Sequence, residues 1–149
     1  MIAETEAYKL LVADEKLNQL FNEFRGKEFP EYKQGSIFTY DIPEKPTNLK
    51  RKELAPFARI YLTYEAPHKY ADDKIISMEQ RITINFWCKN AKQADQIIKR
   101  MDAILESSGF ERYTANEKPR YMDDDIGLLM NVRKYRLFDW GDLEEMKGK

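Results

Sequence analysis

His68 is the one imidazole in the chain and Cys88 the one thiol, so a cysteine nucleophile with a general base would have to be built from these two residues. His68 has Pro67, Lys69 and Tyr70 around it and no Cys or Glu at metal-ligand spacing. It reads as a surface polar group, and Cys88, inside an apolar run, as a small packed side chain. Asp123-Asp124-Asp125 is the sharpest carboxylate cluster. Such a run collects a divalent cation only if backbone carbonyls and further oxygens complete the shell, and that would suit a metal-dependent hydrolase. A calcium loop, however, alternates its ligands and bends at a glycine, which this run does not, so a solvated turn fits it better. Asp72, Asp73, Glu79 and Glu111 could supply an acid and a base, but among 26 acidic residues such pairs say little. The six glycines are not clustered into a phosphate loop. No catalytic residue, metal or cofactor is expected, and the chain reads as a non-enzymatic domain that works by binding another macromolecule.

Two kinds of binding residue stand out. Lys50, Arg51 and Lys52 form a basic run in a proline-bearing loop, and tyrosines are abundant, so a small nucleic-acid-binding or regulatory domain is one alternative. Against it, 25 basic and 26 acidic residues leave a net charge of −1, and Arg81 to Trp87 lacks the glycine-aromatic run of an RNA-binding sheet. The second kind is aromatic. Trp87 falls on the otherwise polar side of a strand and Trp140 just past the last one; each is either an interface anchor or the completion of a core at a sheet edge.

The elements that position these residues follow from periodicity. Leu10, Leu17, Leu20, Phe21 and Phe24 share one stripe of a helix over 3–25, stopped by Gly26. Ser36 to Ile42 alternates as a short strand ended by Pro43, and 43–56 reads as a long, locally basic surface loop. Phe57 to Glu65 and Ile75 to Cys88 read as antiparallel strands joined across a long polar tip at 66–74. In the second of them Ile76, Met78, Ile82, Ile84 and Phe86 face a core, and Ser77, Glu79, Arg81, Thr83 and Asn85 face water. Thirteen residues of strand extend about 43 Å, against a radius of gyration of about 15 Å for a compact chain of this length, so the hairpin must bend or project. Asn90 caps a helix with Ala94, Ile97, Ile98, Met101, Ile104 and Leu105 on its stripe, ended by Ser107, Ser108 and Gly109. Phe110 to Asn116 reads as a strand, 117–126 as an acidic loop, and Gly127 to Trp140 as a last strand. A change in its apolar parity implies a bulge near Arg133 or Lys134. Residues 139–149 read as a frayed tail.

With 149 residues, 42% hydrophobic and 34% charged, the chain suits one folded domain over 1–149. The expected class is α+β: a mainly antiparallel sheet with two principal helices packed on it and a long projecting or bent β-hairpin. One cysteine and no apolar run of spanning length favour the cytoplasm and no membrane.

Arg81-Ile82-Thr83-Ile84-Asn85-Phe86-Trp87-Cys88, then Ala91-Lys92-Gln93-Ala94-Asp95-Gln96-Ile97-Ile98, Gly109-Phe110-Glu111-Arg112 and Arg133-Lys134-Tyr135-Arg136-Leu137 resemble the small tail-completion proteins of long-tailed bacteriophages and prophages, of the tail-terminator or head-tail joining type. The resemblance covers the second half by residues and the first half by element order. It implies a structural virion protein, made in the bacterial host cytoplasm and placed in the tail or neck. It further implies a homo-oligomeric ring, typically a hexamer, that ends the tail tube and meets the tail-tube protein and the neck or head-completion proteins. In that setting Tyr64, His68, Tyr70, Trp87 and Trp140 are the expected oligomer or partner contacts. Lys50, Arg51 and Lys52 are expected to face a neighbour or passing DNA.

Overall fold

The computed structural model describes residues 1–27, 36–45, 48–71, 74–113 and 118–139. Among these residues the fold is α+β, with three α-helices and a six-stranded, mostly antiparallel sheet. The predicted first helix is two: α1 (Ala3–Ala13) and α2 (Glu15–Arg25). Asp14 takes an extended conformation between them, and its carboxylate accepts from the Leu17 N–H at 2.9 Å, capping α2. Asn18 reaches back and donates to the carbonyls of Val12 at 2.9 Å and Asp14 at 2.7 Å, so the last carbonyls of α1 are also satisfied. The break lets Ala3, Ala7 and Leu11 of α1, and Leu17 and Phe21 of α2, all reach the core. Gly26, in the left-handed region at φ 84°, ends α2.

The sheet contains β1 (Ile37–Thr39), β2 (Phe57–Ala71), β3 (Lys74–Cys88), β4 (Glu111–Arg112), β5 (Arg120–Asp123) and β6 (Leu128–Asp139). Its order is β1-β2-β3-β6, with β4 and β5 both paired to β6; only β1 with β2 is parallel. The first strand is shorter than predicted, because Tyr40 turns to φ 68° directly after it. The hairpin is longer: pairing continues through 66–71, predicted as tip, to Ala71 opposite Lys74. β2 accommodates Pro67 through register shifts at Leu62/Tyr64, Pro67/Lys69 and Lys69/Tyr70. Part of the predicted acidic loop is β5, and the described part of the predicted strand at 110–116 pairs as β4 at Glu111–Arg112. Residues 114–117, Trp140 and the rest of the tail lie outside the described residues.

Helix α3 (Ala91–Glu106) is capped by Asn90, whose side chain accepts from the Gln93 N–H. All three helices cover one sheet face, burying Ile60, Ile82, Ile84, Phe86 and Tyr135 with Leu17, Phe21, Ile97 and Met101. A second core lies on the other face at one end, where Ile42, Leu49, Leu54 and Ala55 close over Phe57, Trp87, Leu128 and Met130. This corrects two expectations. The 43–56 segment is not a plain surface loop, since Leu49 and Leu54 are buried and 52–54 forms a 3₁₀ turn. β6 has no bulge at Arg133 or Lys134: its register with β3 is continuous from Met130 opposite Trp87 to Asp139 opposite Met78. Its apolar residues change parity because Leu128 and Met130 serve the second core while Tyr135 and Leu137 serve the first.

Arg100 on α3 bridges Asp14 through two bonds, at 2.6 and 2.8 Å, locking the α1–α2 corner to α3. That hydrogen bonding to Arg100 holds the Asp14 carboxyl below its ordinary range, against a smaller opposing effect of burial. Its stabilising effect is therefore complete above the unfolded carboxyl pKa of about 3.9 and is lost as the pH falls through the lower folded value. Asp14→Asn should be less stable than the parent at pH 7, with the gap closing as the pH falls below the ordinary carboxyl range, as acid and urea titrations followed by circular dichroism will show.

Candidate functional site

Side chains alternate along a strand, so the face of the sheet opposite the helices carries one set from each strand in register. Three rows result: Arg59, Asn85 and Val132; Tyr61, Thr83 and Lys134; Tyr64, Arg81 and Arg136. Successive rows are about 7 Å apart. At one end Lys50 lies 4.9 Å and Arg59 5.6 Å from the centroid of Trp87, over a cleft of 350 Å³ that also takes in Asp41 and Glu44. At the other, Arg81 stacks 4.2 Å above Tyr64 and 5.4 Å from Tyr113, and Arg136 lies 5.6 Å from Phe138. Each such contact is worth about 0.5–1 kcal/mol at an exposed site. The predicted water-facing side of β3 is accordingly covered, with Ser77, Glu79, Thr83 and Asn85 buried. Arg59 donates to Asn85 at 2.9 Å and Arg81 to Glu79 at 2.9 Å, so long side chains lie across the sheet and satisfy the polar groups beneath them.

Each guanidinium of the rows has a carboxylate: Arg59 with Asp41 at 3.4 Å, Arg81 with Glu79 at 2.8 Å, Arg136 with Glu111 at 3.0 Å. The face is therefore rich in arginine and aromatic rings but close to neutral, a composition found in the centres of protein interfaces.

The predicted contact residues are dispersed. Tyr64 and Tyr70 are exposed on β2, at 42% and 62%. His68 is exposed on the same strand, with its ring 4.4 Å from that of Phe138. Trp87 is only 2% exposed: it packs on Phe57 and donates its indole N–H to Asp123 at 2.9 Å, so it completes the second core and offers no surface to a partner. The basic run divides three ways, with Lys50 over Trp87, Arg51 at 3.4 Å from Glu53, and the Lys52 stem against Gly127. Of the aspartate run, Asp123 is held by Trp87 and by the Asp125 N–H, and its carbonyl accepts from Gly127 N–H to close the turn. No three His, Cys, Asp or Glu side chains converge as a metal site among the described residues. Cys88 is buried, and burial pushes its thiol up, away from the reactive thiolate. Two clefts of 540 and 440 Å³ flank the Asp14–Arg100 bridge in the helix layer. No helix is long and apolar enough to cross a membrane among the described residues.

The rows were missed at the level of sequence because neighbouring members lie 17 to 26 residues apart from β2 to β3 and 47 to 55 apart from β3 to β6. Their signal was present as period-2 runs: Arg59-x-Tyr61, Arg81-x-Thr83-x-Asn85-x-Trp87 and Lys134-x-Arg136-x-Phe138. Fold and surface together define an α+β domain with a covered helix face and an arginine-aromatic open face. No protein-family model matches the chain, and no curated protein matches it in sequence.

Proposed function

We propose that the protein is a structural subunit of a phage or prophage tail that assembles with copies of itself into a ring, probing neighbours with its long hairpin and completing the tail at its end or at the head-tail junction. The hairpin carries the reading. β2 and β3 each run for 15 residues, whereas β1 covers β2 only at Ala58 to Ile60 and β6 reaches β3 only as far as Met78. Among the described residues the outer side of β2 is unpaired from Tyr61 to Ala71, and this stretch bears the exposed Tyr64, His68 and Tyr70. A monomer gains nothing from two strands extended past their neighbours, whereas a subunit gains a contact arm. The resemblance of the second half to tail-completion proteins supplies the kind of assembly, with the tail-tube protein and neck proteins as the partners.

Light scattering behind size exclusion, across a range of concentrations and with tail-tube protein added, tests it. Rings of a multiple of the 17.7 kDa chain are expected, six-fold in the simplest case. A strict monomer under both conditions overturns the proposal.

The cation and aromatic rows also favour a second reading, an extended nucleic-acid strand laid on the open face. It ranks below the first because three of the cations already hold carboxylates. It requires salt-sensitive oligonucleotide binding that Lys50→Glu with Arg59→Glu abolishes.

A further inference from the structure

We draw no further inference here: the strongest candidate, the pair of clefts of 540 and 440 Å³ that flank the Asp14–Arg100 bridge between α3 and the α1–α2 corner, is lined by side chains of both charges, and nothing in the structure shows what covers it.

Discussion

Arg25→Ala lowers the unfolding free energy by about 3–5 kcal/mol, read as a shift of the urea midpoint at pH 7. Arg25 is the last residue of α2 and is buried. Its guanidinium donates at 2.7 Å to each of the carbonyls of Leu54 and Pro56 and to the Ser36 hydroxyl, and at 2.9 Å to Asn22. Burial draws its pKa down to about 10, so it is still charged at neutral pH. One planar fork thus ties the end of the helix layer to the segment that closes the second core. Truncation leaves buried carbonyls without donors and a void beside them. Arg25→Met separates the two costs, because it refills the space and restores no donor. A loss of about 2–3 kcal/mol is expected to remain. If Met is tolerated within about 0.5 kcal/mol, packing and not donation holds the layers together.

The sequence made α3 plain, since Asn90 caps it and Ala94, Ile97, Met101 and Leu105 recur at three and four. It made β3 plain for the same reason in period two. The break at Asp14 was harder, because Leu10 and Leu17 lie seven apart and invite one continuous stripe. The buried set, Ala3, Ala7 and Leu11 and then Leu17 and Phe21, steps by four, then six, then four. The six is the corner, and alanines carry too little hydrophobic weight to reveal it. The second core was hidden for a different reason: its members come from 42–57, 87 and 128–130, and no local period links them.

The surface was legible residue by residue more than as a whole. Tyr64 and Tyr70 could be placed on an exposed hairpin because polar residues surround them, and both are exposed. Trp87 illustrates the opposite limit. Its neighbours on the same strand face, Asn85 and Thr83, are polar, so alternation left it open between an interface anchor and the completion of a core. In the fold, the 43–56 segment and Phe57 cover it, and only tertiary packing could have told the two cases apart.

Asp102→Ala should cost about 3–5 kcal/mol, the other large effect. From α3, this carboxylate accepts the Tyr135 hydroxyl at 2.5 Å, two bonds from Arg133 at 2.9 and 3.0 Å, and a longer one from Arg112 at 3.3 Å. Tyr135 is fully buried, and burial, followed by its bond to Asp102, raises its phenol far above the usual range, so it stays a donor at all ordinary pH. Removing Asp102 strands that hydroxyl and a largely buried guanidinium at once, whereas Tyr135→Phe leaves Asp102 paired with Arg133 and should cost only about 1–2 kcal/mol. The two changes cannot add. Once Asp102 is gone, Tyr135→Phe removes an orphaned donor and should be nearly neutral, so a double-mutant cycle in urea should give a coupling of about 1–2 kcal/mol. Additivity within about 0.3 kcal/mol would mean that the short bond contributes little.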